Sequence, residues 1–563
     1  MGNSNIIKCK SANNKSNNNR GASINKNETA TKITTPTNLL IRNYTTNPEL
    51  NYLLLNFIIS ESKQSIWKVK HKQIGLLRAL IRRNKIQGED VNSAKDAYNL
   101  IKTFDHPSII KIFEIYDTNT HYDIITELSD GRSLRDEIND IGPLPEKVAA
   151  NLIYQLLVVV NYMHNTKQIV HCSINPSNIH INSYSDENEY YDIKLMHFYS
   201  CIPLLEDNIN PHVAKYRPII KEIIHHVKSK SAYSNFDKCF FAPELIVMGS
   251  SNKTKYSYNS IISDKIDMWS IGLIAFYILT GKIPYNLTSL SQSDLSNPIF
   301  DRISQHGKSL IAQLLSVNLR NRISAKTALK SKWFTFLETK NSLTRINKLQ
   351  SKKILNNINK FKSNNVLYDK SIEYLVHNVP DIEDVRYINK MFLSFNSGCN
   401  GHLTKEDIKE GFVIGNQEEN KKGLVKTVDE WYDLIDINGN GYIEYEEFVR
   451  AGIDKKLFVE KEVLRFSFNF FDKDKDGKIS FKDLNDFLTG STIDKEEQFR
   501  QIKRDISLAE EEYIKIDNEN NELNDLEKKI KTEDRRHSTI FTNIAIPITF
   551  ESYEIMMKKF LCV

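Results

Sequence analysis

The rhythm of hydrophobic and polar positions changes several times along this chain, and each change marks a boundary. Residues 1 to 49 are rich in Asn, Ser, Thr and Lys and poor in large apolar side chains. Such a segment buries too little surface to offset the entropy of ordering it, so it reads as a disordered arm. From about 52 to 104, short strand-like runs (Leu53 to Ser60, Ser65 to Lys70, Leu76 to Arg82) lead into a helical stretch ending near Phe104. That pattern predicts a small sheet carrying one helix. Longer apolar runs, Ala149 to Met163 and Met268 to Leu279, dominate residues 132 to 334 and predict a mainly helical lobe. A basic amphipathic segment follows, within 335 to 380. Residues 381 to 563 then repeat helix, acidic loop, helix, with a charged insert at about 506 to 537. The fold class is α+β: a two-lobed domain over 50 to 334, a junction, and an all-α domain.

Composition narrows the function classes. At 563 residues the chain exceeds one hydrophobic core, and 40% apolar with 26% charged residues fits two or three ordinary folded domains. A net charge of +5 against 76 basic and 71 acidic residues argues against a nucleic-acid partner. The six cysteines have neither metal-ligand nor framework spacing, which suits a reducing cytosol and predicts no disulfides. No apolar run reaches the roughly 18 to 20 residues that span a bilayer.

Several motifs occur in a telling order. Val170-His171 precedes Asn175-Pro176-Ser177-Asn178. Ala242-Pro243-Glu244 follows, then Asp267-Met268-Trp269-Ser270-Ile271-Gly272, then Asn321-Arg322-Ile323-Ser324-Ala325 before Trp333. This series resembles the protein kinases: a catalytic loop, the close of an activation segment, the central helix of the large lobe, and the Arg that pairs with the activation-segment Glu. The resemblance implies a bilobal kinase fold in which Glu244 meets Arg322.

The stations that phosphate transfer needs are occupied by other residues. The three glycine places of the phosphate-covering loop carry Ser60, Ser62 and Ser65, which lose the slimness that brings backbone N–H groups to phosphates. The phosphate-gripping lysine is Ile81, and its helix Glu partner, ten residues before Pro107, is Ala97. The catalytic base is Ser173 and the following Lys is Asn175, leaving Asn178 as the surviving metal-side residue. The magnesium-binding Asp is His197, in His197-Phe198-Tyr199, where a hard cation needs oxygen. ATP with magnesium is therefore expected to bind weakly, if at all. Arg82, directed to the opposite strand face, and Lys63, Lys68 and Lys70 are the alternative phosphate-binding groups.

The second half carries calcium-loop patterns, in which oxygen ligands stand at positions 1, 3, 5 and 12, Gly at 6 and an apolar residue at 8. Asp436 to Glu447 is complete: Asp436, Asn438, Asn440, the Tyr442 carbonyl and bidentate Glu447, with Gly441 and Ile443. Asp472 to Asp483 offers Asp472, Asp474, Asp476 and the Lys478 carbonyl around Gly477, and closes on the shorter Asp483. Asn396 to Asp407 has Gly398 at a ligand place, and a loop from about Phe541 to Ser552 keeps only Ile548. These two are expected to be structural partners, leaving about one to two calcium ions bound. A kinase domain, junction and EF-hands in this order resemble the calcium-dependent protein kinases. That resemblance implies that the junction stretch Ile354 to Phe361 blocks the kinase cleft when calcium is low.

Met1-Gly2-Asn3-Ser4-Asn5-Ile6 offers Gly2 for myristoylation, although Ile6 stands where Ser or Thr is preferred, and Cys9 between Lys8 and Lys10 offers a palmitoylation site. The sequence thus points to a calcium-responsive pseudokinase of the cytoplasm, possessing unidentified protein partners and a peripheral membrane contact. The rival readings are a divergent active Ser/Thr kinase and a membrane-tethered calcium buffer.

Overall fold

The structure, a computed structural model, describes residues 41–60, 64–85, 100–129, 131–185, 190–204, 235–250, 263–284, 301–337, 348–362, 364–415, 428, 432–520 and 546–562. The small lobe is a six-stranded sheet in the order Arg42–Tyr44, Ile112–Asp117, His121–Glu127, Leu77–Asn84, Gln64–His71, Tyr52–Ser60. Its last three strands are the runs expected from the pattern, while Ile112–Asp117 and His121–Glu127, antiparallel to each other and to Leu77–Asn84, were not among them. The first strand corrects the boundary of the arm. Residues 41 to 49 are folded, and Arg42–Tyr44 adds in parallel to Ile112–Asp117 at the sheet edge. Buried Ile41 and a Tyr44 ring stacked 4.7 Å from Tyr116 supply the apolar contacts that the polar composition had hidden. Gly2 and Cys9 lie outside the described residues.

The large lobe is built on Glu146–Asn161 and Lys265–Thr280, helices apolar on nearly all sides and buried along nearly their whole length, as interior helices must be. Arg322 meets Glu244 through both guanidinium nitrogens, at 2.7 and 3.2 Å, and stacks 4.9 Å over Trp269. This is the pairing the kinase resemblance implies. The fork geometry holds the end of the activation segment to the base of the lobe.

The EF-hand domain pairs its loops through short strands. Leu403 faces Ile443 and Ile479 faces Ile548, the apolar position-8 residues in each case. Two findings shift the sequence boundaries. Junction helices Lys348–Asn359 and Val366–Asn378 belong to this domain's core, because Ile354 and Ile358, one turn apart on the first helix, and Phe361 just beyond its end bury there with Leu367, Tyr368 and Leu375. The helix Thr492–Asn520 runs into the expected insert and buries Ile506 and Ala509.

The EF-hand domain packs against the small lobe along the outer face of its sheet. Arg42 stacks 4.7 Å over Phe470 and donates to the Asn469 carbonyl. His71, nearly fully buried, lies edge-on to Tyr52 at 4.9 Å and to Phe466 at 5.1 Å. Burial first, then Arg78 and Arg42, push its pKa down to about 3. The folded state thus keeps His71 neutral, whereas the unfolded chain protonates it near pH 6.5. Stability should therefore fall as pH drops below about 6.5, by up to about 1.4 kcal/mol per pH unit for this group. Thermal unfolding of His71→Asn should show a smaller loss between pH 6.5 and 5 than the parent protein, and an equal loss would exclude this role.

Candidate nucleotide cleft and calcium loops

The catalytic loop keeps its architecture through one carboxylate. Asp267, at the start of a buried helix, accepts from the backbone N–H of His171 at 2.8 Å and of Cys172 at 2.9 Å, and lies 2.8 Å from His164 Nε2. His171 in turn donates Nε2–H to the Met196 carbonyl at 3.1 Å and sits 4.9 Å from Phe198, which continues to Phe104 at 5.4 Å. This ring stack joins the lobes as an internal spine.

The groups the loop presents differ from those of the kinase stations. Ser173 is buried, its carbonyl accepting from Asn178 at 2.7 Å and from Asn175 at 3.3 Å, while Asn175 Oδ1 caps the next turn. Asn178 has therefore committed its amide nitrogen to the loop, and its Oδ1 is the oxygen it offers a cation. His197 occupies the left-handed region at φ +62°, rare for a residue with a side chain. Burial, then His180 and His171, push its pKa down to about 3, so it is a neutral imidazole where a hard cation needs a carboxylate.

Above the loop, Ile81 pairs across the sheet with Ile66 and Ile124 and packs against the main core. Arg82 points away, as strand alternation requires, and pairs with Asp123 at 2.7 Å and Glu49 at 2.8 Å. Ser60 faces Ser65 in register, and Ser65 Oγ accepts from Trp67 at 3.1 Å. Ser62, Lys63 and Ala97 lie outside the described residues. Lys70 is exposed. Arg83, two residues beyond Ile81 on the same strand face, is buried with its guanidinium 5.5 Å over the Tyr199 ring. Motif matching missed it because it falls outside every kinase station.

The calcium loops are folded as such. Gly441 at φ +81° and Gly477 at φ +84° make the sharp turns that a Cβ would strain. In the first loop Asp436 accepts from Asn440 and Gly441, Asn438 from Asn440, and Asn440 Oδ1 from Tyr442, which aligns the oxygens toward the loop interior. The Tyr442 side chain is exposed and only its carbonyl is a candidate ligand. Glu447 closes the loop, accepting from Ile437 and Glu444 at 3.0 Å each. Burial, reinforced by the Glu444 and Asp436 carboxylates, pushes its pKa up to about 7. In the second loop, carboxylate oxygens of Asp472, Asp474 and Asp476 lie within 4.8 Å of one another, Asp476 takes the Lys478 N–H at 2.8 Å, and Asp483 takes Lys473 and Ser480. These are the donor set of a calcium or magnesium ion.

Two features had no sequence signal. The incomplete loop Asn396 to Asp407 is a docking element: the Cys399 carbonyl accepts from Asn161 at 2.6 Å and the Asn400 carbonyl from Thr166 at 2.7 Å. Gly401 sits so close to Tyr162 that a Cβ would stand 2.2 Å from its ring. Glu446, beside the calcium ligand Glu447, turns to the kinase domain. Its N–H donates to Asp105 at 3.0 Å, and its carboxylate meets Lys111 at 2.7 Å and His377 at 2.6 Å. Although burial opposes ionisation, His377 and Lys111 hold the Glu446 carboxyl well below the usual range.

The fold and these two kinds of site define a protein that joins a protein kinase domain to an EF-hand pair. Residues 65–334 match the family described as protein kinase domain, and residues 386–451 match the EF-hand domain pair. Calcium-dependent protein kinase 4 of Plasmodium berghei (strain Anka) is 26% identical over 426 residues, covering 70% of this chain and 71% of that protein. The same kinase of Plasmodium falciparum (isolate 3D7) is 26% identical over 423 residues, 72% and 73% of the two chains. Calcium-dependent protein kinase 5 of that organism is 26% identical over 441 residues, 76% and 69%. The chain is homologous to the calcium-dependent protein kinases, and its EF-hands are calcium-binding elements.

The two calcium loops are not equivalent, since only the first ends in a carboxylate long enough to bind through both oxygens. Glu447→Gln should lower calcium affinity more than tenfold and remove about one ion by titration calorimetry, with Asp483→Asn doing less. Near-normal uptake by the Glu447→Gln protein would overturn this ranking.

Proposed function

We propose that the chain is a calcium-responsive pseudokinase: calcium on the EF-hands changes the contacts of a kinase domain that transfers no phosphate, and partner binding is its output. The observation that carries this reading is the conjunction of Ser173 at the base position with a neutral His197 at the cation position, on a loop whose Asp267 scaffold is intact. Loss confined to chemistry, with architecture spared, suits a binding role. The donor sets support about one to two calcium ions at Asp436 to Glu447 and Asp472 to Asp483. The protein acts in the cytoplasm, with Gly2 and Cys9 as the acylation sites of a peripheral membrane anchor. Among the described residues no helix is long and apolar enough to cross a membrane.

Arg83 favours a second reading, a divergent active kinase, because it brings a buried cation to the cleft side of the sheet next to Tyr199. Thermal shift with ATP, magnesium and calcium in all combinations, followed by phosphorylation assays, separates the two. Calcium alone should shift the midpoint, and neither autophosphorylation nor substrate labelling should appear. Restoring Lys, Glu, Asp and Asp at Ile81, Ala97, Ser173 and His197 is the positive control. Calcium-stimulated transfer by the parent protein, abolished by Asn178→Ala or Arg83→Met, would defeat the pseudokinase reading.

The junction also has a measurable expectation. With Ile354, Ile358 and Phe361 held in the EF-hand core, calcium can shift the segment only by binding one arrangement better than another. Hydrogen exchange over 351 to 378 should change on calcium addition, and Ile358→Gln with Phe361→Gln should alter calcium affinity. Invariance of both would make the domain a passive buffer.

A further inference from the structure

Where the small lobe meets the EF-hand domain, the two enclose a cavity of about 390 Å³, within the size range of small-ligand sites. Much of its wall is apolar, including Ile41, Ile112, Val376 and Val449. Two buried polar groups on that wall lack what burial demands. Arg78 is 2% exposed; its Nη2 donates to the Asn378 carbonyl at 2.6 Å and its guanidinium lies 3.6 Å over the Phe113 ring. Its Nη1 meets no acceptor, and among the described residues it pairs with no carboxylate. His106 Nδ1 accepts from Ser108 N–H at 3.1 Å, which places the proton of the neutral ring on Nε2, and that atom is buried and also unmet.

The neighbouring charges are already engaged. Lys194 pairs with Glu127 and Lys111 with Glu446, both at 2.7 Å, while Asp105 accepts the Glu446 N–H. A buried guanidinium without a counter-charge is costly, and a buried N–H without an acceptor is rare in folded proteins. Both defects ask for an acceptor, and the guanidinium asks that it carry negative charge.

We propose that this cavity is a binding site for a small organic anion, a carboxylate carried on an apolar body. The carboxylate takes the open N–H of Arg78, and the apolar body lies along Ile112 and Val449. A phosphate dianion fits less well, because it brings more charged oxygens than the two open N–H groups, of Arg78 and His106, can satisfy. Such a ligand touches the kinase domain through Arg78 and the EF-hand domain through Val449, so it binds the docked arrangement and stabilises it by mass action. Val449 and Glu446 lie on the helix Tyr445–Gly452, which also carries the calcium ligand Glu447, so occupancy of this cavity is coupled to that of the calcium loop. None of this depends on whether the kinase domain transfers phosphate.

The test uses the full chain with sodium octanoate, 1-octanol and inorganic phosphate as probes in calorimetry and thermal shift. Octanoate should bind saturably and raise the midpoint, octanol at least tenfold more weakly, and phosphate not at all. Arg78→Met should weaken octanoate at least tenfold and erase its advantage over octanol, while Arg78→Lys should retain part of it. Val385→Phe, which fills the cavity from the EF-hand side and leaves Arg78 in place, should weaken both organic probes and keeps the test decisive if Arg78→Met does not fold. Octanol binding as tightly as octanoate, phosphate stabilising equally well, unchanged octanoate affinity in either Arg78→Met or Val385→Phe, or no saturable octanoate binding at millimolar concentrations would each overturn the proposal.

Discussion

At the C-terminal turn of Val366–Asn378, polar groups of both domains are buried against each other, and the placement of the EF-hand domain depends on that contact. The Asn378 carbonyl takes the Arg78 guanidinium from the small lobe, and His377 lies between the Glu446 carboxylate and the Ile112 carbonyl. The same helix commits Leu367, Tyr368, Ile372 and Leu375 to the EF-hand core. One face thus belongs to one domain and one end to the other. Removing a single partner from such a cluster leaves a buried charge unpaired, which costs more than the pair contributes. Domain separation must rehydrate all of these groups together, so the docked state is separated from the open one by a cooperative step.

Within the kinase domain, the contacts that hold the fold can be separated from the residues at the catalytic stations. The Asp267 carboxylate still orders the loop, the ring stack of Phe104, Phe198 and His171 still joins the lobes, and Arg322 still clamps Glu244. These contacts are internal to the protein and are satisfied without nucleotide. The residues that differ are those whose partners would have been phosphate, magnesium or substrate.

The legible features were those that local pattern determines. Apolar periodicity exposed the interior helices, and the loops of the EF-hands showed through Gly441 and Gly477, whose positive φ few other residues tolerate. The position-8 pairs Leu403 with Ile443 and Ile479 with Ile548 followed from the same spacing. Contacts between distant segments were not legible. Arg42 and Tyr44 sit in a polar stretch and become ordered only because Tyr116 and Phe470 are waiting for them. Ile354, Ile358 and Phe361 had the right helical spacing, but spacing alone does not say which domain receives the face. Glu446 was hidden by its neighbour, since the calcium pattern accounts for Glu447 and treats the residue before it as solvent-facing.

The incomplete first loop has a mechanical consequence. Its Cys399 and Asn400 carbonyls are held by Asn161 and Thr166, and Gly401 lies flush against Tyr162, so this corner of the EF-hand domain is bolted to the large lobe by contacts that no ion supplies. Its strand partner, the complete loop, begins at Asp436 and ends at Glu447, on the helix that reaches the small lobe through Glu446. One end is a fixed fulcrum and the other a lever arm. The paired calcium loops thus touch both kinase lobes, the large one through the Cys399 corner and the small one through Glu446.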